Sequence, residues 1–146
     1  MEIALRPREP SDDELHFAWQ ADPAQVATTV PARSRAEFGA WIARITADPS
    51  VTLRTITADG AVVGTINTFV QGDERFIGYR VANKHWGKGI ATEAVRLMVQ
   101  VDASRPIFAT VLVSNIASVK ALARNGFIPV REQRSNDGPE VVLRLG

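Results

Sequence analysis

Apolar and polar positions change period several times along this 146-residue chain, and each change marks a new element. Glu2 to Arg6 reads as a short opening strand, halted by Pro7 and Pro10. Ser11 stands three residues before Glu14, and Ser34 three before Glu37. Both pairs read as capping boxes, which start one helix reaching about Gln20 and another from Arg35 to about Ala47. Ala21 to Arg33, polar and proline-containing, reads as a surface loop. After Asp48-Pro49-Ser50 the pattern turns to β. Val51 to Ala58 and Ala61 to Val70 are rich in Val, Ile and Thr and meet at Asp59-Gly60, a hairpin dipeptide. Gln71-Gly72-Asp73 turns into a third strand, Arg75 to Val81, completing an antiparallel meander.

From Gly87 onward the period becomes helical. Ala91, Ala94, Val95, Met98 and Val99 fall on one stripe. Ile107 to Val113 is almost continuously apolar, as in a strand covered on both faces. A helix from Ile116 to Arg124 follows, with Asn115 as N-cap and Gly126 just past its end. Phe127 to Glu132 and Glu140 to Leu145 flank a turn at Asn136-Asp137-Gly138. The predicted order is β-α-α-β-β-β-α-β-α-β-β, a mixed α/β (α+β) sheet with helices on its faces. No repeat or linker breaks residues 1–146, which read as a single domain.

Composition narrows the functions available. The chain has no cysteine, which removes disulfides, thiolate metal sites and cysteine nucleophiles. Its two histidines accompany no carboxylate cluster, so no metal site is expected. The formal net charge of +1, with both signs interleaved, is not the footprint of a nucleic-acid binder. No apolar run approaches the roughly 20 residues of a membrane helix. The opening Met-Glu-Ile-Ala-Leu-Arg is unlike a signal peptide, so the chain reads as soluble and cytoplasmic, a monomer or a homodimer.

The chemistry concentrates in Trp86-Gly87-Lys88-Gly89-Ile90-Ala91-Thr92, where the meander's last strand gives way to the long helix. A helix start carries unpartnered N–H groups and the positive end of a dipole. Glycines let an anion approach those groups, Thr92 adds a hydroxyl and Lys88 a charge. Two glycines alone indicate no more than a strand-to-helix turn. The segment is neither a mononucleotide P-loop nor a dinucleotide fingerprint, since neither consensus is complete.

At this segment, and in its order of elements, the chain resembles the GNAT superfamily of N-acetyltransferases. The superfamily's pyrophosphate motif, Gln/Arg-x-x-Gly-x-Gly/Ala, is matched by Trp86 to Ala91 except at its first position. The run Trp86 to Ala94 is similar to the branch of ribosomal-protein N-terminal acetyltransferases. The resemblance implies an acyl-CoA N-acyltransferase fold, with acetyl-CoA as co-substrate and an amine as acceptor. It implies that backbone groups of Tyr79, Arg80 and Val81 meet the pantetheine arm, and that Gly87, Lys88, Gly89, Ile90, Ala91 and Thr92 hold the pyrophosphate. Asn115 corresponds to the asparagine that contacts the cofactor, though its residue type also suits a cap alone. Ser118 completes the Asn-x-x-Ser of that branch, and Leu122 to Phe127 match its Leu-x-x-x-Gly-Phe helix ending. Lys120 and Arg124 suit either the cofactor's phosphates or a solvated helix face.

Acetyl transfer needs a neutral amine, a polarised thioester carbonyl and a protonated leaving thiolate. Where many relatives carry a tyrosine acid this chain has Leu122, which leaves Ser118 as the nearest acid. Phe76 stands where relatives of the branch often carry glutamate, so no general base is assigned, with Glu74 the nearest carboxylate along the chain. His85 is a candidate for proton transfer or a surface residue; His16 is a weaker candidate. Trp19, Thr28, Arg33 and Trp41 are candidate acceptor-site residues, and the lack of an acidic cluster there disfavours aminoglycosides. The expected activity is direct attack of a small-molecule amine or protein N-terminus on acetyl-CoA. A non-catalytic acyl-CoA sensor, or an enzyme using another acyl-CoA, is the competing expectation.

Overall fold

The computed structural model describes residues 1–22 and 32–146. In them lie strands β1 (Ile3–Pro7), β2 (Thr52–Ala58), β3 (Ala61–Gln71), β4 (Glu74–Val81), β5 (Ile107–Leu112), β6 (Ile128–Ser135) and β7 (Gly138–Leu145). The helices are α1 (Asp12–Ala21), α2 (Arg35–Ala47), α3 (Ile90–Val101) and α4 (Ile116–Ala123). The elements follow the predicted order. A short 3₁₀ turn at Asn83–His85, which the sequence pattern does not announce, precedes α3.

All seven strands form one mixed sheet in the order β1-β2-β3-β4-β5-β7-β6. The first four make an antiparallel meander, and β7 runs antiparallel between β5 and β6. The hairpin between β2 and β3 turns at Asp59 and Gly60, both at positive φ, which matches the twist of paired strands. The register of β2 against β3 slips between Ile56 and Thr57. That bulge lets Val63 and Ile66 share one core, which strict alternation would forbid.

Side chains alternate between the faces of a strand, and the two faces here have different coverings. Ile56, Ile66, Ile77 and Val81 look toward α3 and α4, where Ile90, Ala94, Val95, Met98 and Leu122 complete a buried core. Thr55, Ile56's neighbour, faces α1 instead and bonds Asp12. On the α1 and α2 side, His16, Phe38 and Trp41 pack edge to face, with Phe17 against Phe38.

The second predicted capping box is present in full: Ser34 Oγ accepts from Glu37 N–H at 3.2 Å, and Glu37 accepts from Ser34 N–H at 2.8 Å. The first is absent. Ser11 is already in the right-handed helical region and makes no side-chain cap, while Glu14 pairs with Arg35 on α2 at 2.9 Å. The stronger anchor is Asp12. It takes a two-pronged ion pair from Arg6 on β1 at 2.9 Å on each oxygen, plus bonds from Glu9 N–H and the Thr55 hydroxyl. Burial would raise its pKa, but these donors outweigh burial and hold the carboxyl at about 2.

A depressed carboxylate contributes stability above its unfolded pKa and loses it as pH falls through the folded one. The step from 3.8 to about 2 corresponds to about 2 kcal/mol at neutral pH. Asp12→Asn is therefore expected to cost about that much in urea unfolding at pH 7, with the gap closing as pH falls from 4 to 2.

Candidate functional site

β4 and β5 form the parallel pair of this sheet, and they pair only at Phe76 and Phe108. Beyond that point their C-terminal ends separate. A helix N-terminus sits near each end, because β4 leads into α3 and β5 into α4. Between them lies a cleft of about 540 Å³, within the roughly 300–1,000 Å³ of small-molecule sites. A second cavity, under α1, holds only about 10 Å³, space for about one water.

The turn into α3 is built from backbone alone. Gly87 and Gly89 both sit at φ 78°, a left-handed conformation that side chains resist. A Cβ at either would touch nothing within 4 Å, so conformation rather than space demands glycine. Gly89 is the N-cap of α3 and supplies no capping side chain. The first-turn amides and the dipole's positive end therefore face the cleft with no side-chain cap from the N-cap residue. Predicted as the start of the helical segment, Gly87 instead lies in the turn; the helix begins at Ile90.

Trp86 explains how the turn is held. Its indole N–H donates to the Val81 carbonyl at 2.9 Å, tying the turn back onto the end of β4. At the other side, the Asn125 amide donates to Thr92 O at 3.0 Å and to Ala121 O at 2.9 Å, joining the first turn of α3 to the end of α4. Gly126, at φ 88°, follows, and Phe127 N–H returns to Leu122 O at 3.2 Å to close α4. Phe127 is buried in the core.

Tyr79, Arg80, Val81, Gly87 and Gly89 line the cleft, as do Ile90, Ala91, Thr92, Asn115 and Ser118. Lys88 does not; it points out from the turn as an exposed residue. Lys120 and Arg124 stand exposed at the α4 wall, and among the described lining residues there is no carboxylate. The rim is thus positive, and suited to a phosphate-bearing ligand. Asn115 caps α4, its side chain accepting from Ser118 N–H at 3.3 Å. Ser114, Ile116, Ala117 and Ala121 also line the cleft and were not foreseen, since small and aliphatic residues carry no chemical signature in sequence.

The candidates for proton transfer fall in different places. Leu122 is fully buried in the core, so no acid reaches the cleft from that position. Phe76 is buried against Phe69 and Phe108. Glu74 lies at the far end of β4, bonded to Arg131 at 3.0 Å. His85 lines the cleft, its pKa lowered by partial desolvation and by the Lys88 and Lys84 charges. His16 lies among aromatic rings, and burial followed by the Arg80 charge lowers it to about 4, so it is neutral at pH 7. Tyr79, expected to act through its backbone, also directs its phenol at Ser118, with Oη and Oγ 2.5 Å apart. On the opposite face, the Arg33 guanidinium stacks 4.3 Å from the Trp41 ring centre, and Trp19 packs near His16. Thr28 lies outside the described residues.

Among the described residues, no group of three or more His, Asp or Glu side chains converges as a metal site. Nor is any helix there long and apolar enough to cross a membrane.

Residues 2–128 match the sequence pattern of the acetyltransferase (GNAT) domain. Over 79 residues the chain is 38% identical to the probable N-acetyltransferase YjcK of Bacillus subtilis (strain 168). That match spans 48% of this chain and only 43% of YjcK, less than half of that relative's length. The fold is similar to aminoglycoside acetyltransferase AAC(6')-Ib in complex with coenzyme A, with a TM-score of 0.84, 21% identity, and 99% and 94% of the two chains covered. It is also similar to Mycobacterium smegmatis RimJ in complex with CoA-disulfide, with a TM-score of 0.80, 20% identity, and 98% and 81% covered.

Replacing Gly89 by alanine puts a side chain in the left-handed region, at a cost of about 1 kcal/mol. Gly89→Ala is expected to unfold at lower urea by that amount while keeping its circular dichroism spectrum. An unchanged midpoint would mean that the turn adapts freely.

Proposed function

The chain belongs to the acetyltransferase (GNAT) family, and we propose that it transfers the acetyl group of acetyl-CoA to a primary amine by direct attack. One observation carries this reading: left-handed glycines present the glycine-capped N-terminus of α3 to a cleft opened by the parting of β4 and β5. The Gly87–Thr92 turn receives the diphosphate, with Lys88, Lys120 and Arg124 adding long-range attraction from the rim. The ends of β4 and α4 receive the pantetheine arm, with Asn115 at the head of α4. We read residues 1–146 as one catalytic domain working in the cytoplasm.

The chain's own groups supply limited chemistry. Ser118 is the hydroxyl placed to protonate the departing thiolate. No carboxylate lines the described part of the cleft, so the amine's proton passes to water, and much of the rate comes from positioning. An α-amino group, with an ordinary pKa of roughly 7.7–8, yields a neutral nucleophile far more readily than lysine at about 10.4. This favours a terminal or similarly weak amine.

The acceptor side points the same way. Asp12, Asp13 and Glu14 are bound to Arg6, Arg8 and Arg35, and Glu37 is spent on its cap. Asp22 at the end of α1 stands alongside Arg33, Trp41 and Trp19, and one further carboxylate is a poor surface for a polycation. The fold's likeness to an aminoglycoside acetyltransferase therefore does not carry over to the acceptor. The Trp86 to Ala94 run, the Asn115-x-x-Ser118 spacing and the likeness to RimJ support a branch acting on protein N-termini.

Acetyl-CoA is expected to raise the melting temperature, because it binds the folded chain. Free thiol should then be released with peptide N-termini in preference to aminoglycosides, and Gly89→Glu should lose both effects. A thermal shift with no thiol released from any amine would indicate an acyl-CoA-binding sensor; no shift at saturating ligand would end the reading. Asn115→Ala should cost about 1 kcal/mol as a lost cap and also weaken the acetyl-CoA response; unchanged cofactor affinity would reduce Asn115 to a cap.

A further inference from the structure

We propose that the Tyr79 phenol acts through Ser118, holding the serine hydroxyl toward the cleft and replacing its proton as the thiolate departs. The inference rests on the acetyltransferase reading above and adds a positioning residue to it. Tyr79 and Ser118 come from opposite walls of the cleft, β4 and α4, and both line it. Their oxygens are 2.5 Å apart, and the Ser118 carbonyl lies farther from the phenol, at 3.4 Å. Tyr79 is the only tyrosine in the chain.

Serine alone is a poor acid for this step. A phenol's ordinary pKa of about 10 lies just above a thiol's of about 8.5, whereas an aliphatic alcohol does not titrate in the usual range. The phenol is the better donor of the pair, so its O–H points to Ser118 Oγ. The serine's own hydrogen is then left to turn into the cleft. Burial raises the pKa of Tyr79, opposed by the Ser118 bond, so the phenol keeps its proton at neutral pH. Leu122, buried in the core, offers no competing donor.

The step balances. A C–N bond forms at the acyl carbon, and the C–S bond breaks with its electron pair going to sulfur. The Ser118 proton passes to sulfur, and the Tyr79 proton passes to the serine oxygen. The attacking amine gives one proton to water, and water returns one to the phenolate.

Three variants test this: Tyr79→Phe, which keeps the ring, Ser118→Ala, and the double substitution. Each single change is expected to lower kcat about 10- to 100-fold with little change in KM for acetyl-CoA. The double variant should be no slower than the slower single one. The alkaline fall in wild-type kcat should be missing in Tyr79→Phe. Phenolate absorbance reports Tyr79 alone, and its midpoint should move in Ser118→Ala, which removes the partner of the phenol's hydrogen bond. Full kcat in Tyr79→Phe, additive losses, or an unmoved phenolate midpoint would each overturn the relay while leaving the acetyltransferase reading intact. Wild-type protein releasing no thiol with any amine would overturn both.

Discussion

Parallel strands normally stay paired along their length, because each unpaired backbone group loses a hydrogen bond. In this sheet β4 and β5 pair at Phe76 and Phe108 and then separate. Everything functional follows from that separation. Each strand leads into a helix, so the parting brings two helix N-termini and one strand edge around a single opening. That is the crevice beyond the carboxyl ends of parallel strands where α/β sheets bind ligands. Its walls combine glycine backbone, small side chains and a few hydroxyls with Arg80, Trp86, Lys120 and Arg124, so amides and cations face the same opening.

An opening in a sheet must be held by interactions elsewhere. Two buried carboxylates tie helices to the sheet, one at its β1 edge and one at its middle strands. Asp12 fixes the start of α1 to β1 and β2. Asp102, at the end of α3, accepts from the Thr68 hydroxyl, the Arg75 guanidinium and Ser104 N–H. Burial disfavours its charge, but these donors prevail and hold its pKa well below the ordinary carboxylate range. The end of α3 away from the cleft is thereby anchored to β3 and β4. The end that faces the cleft is positioned by Trp86 and Asn125.

Most of the fold was legible in the sequence because its signals are local. The Asp59-Gly60 hairpin, the α3 stripe and the Ser34–Glu37 box each lie within a few residues, and all three are present. The Ser11–Glu14 box failed because a distant cation, Arg35, draws Glu14 away, and no local pattern records that. The glycine turn before α3 was legible for the same local reason, since both glycines and the helix that follows lie within a few residues. The parting of β4 and β5 was not, because it depends on which strands become neighbours and where their contact stops. The Tyr79–Ser118 contact joins residues 39 apart in sequence, and alternation along β4 says which way Tyr79 faces but not what it meets. Lys88 is exposed outside the lining, so a charge inside a motif need not face the cleft beside it.

The most direct test of the amide-lined turn is to follow backbone N–H resonances while coenzyme A is titrated into the isotope-labelled chain. The largest displacements are expected at Gly89, Ile90, Ala91 and Thr92, with smaller ones along the end of β4. Saturable binding that leaves those four amides unmoved and displaces resonances elsewhere would contradict it.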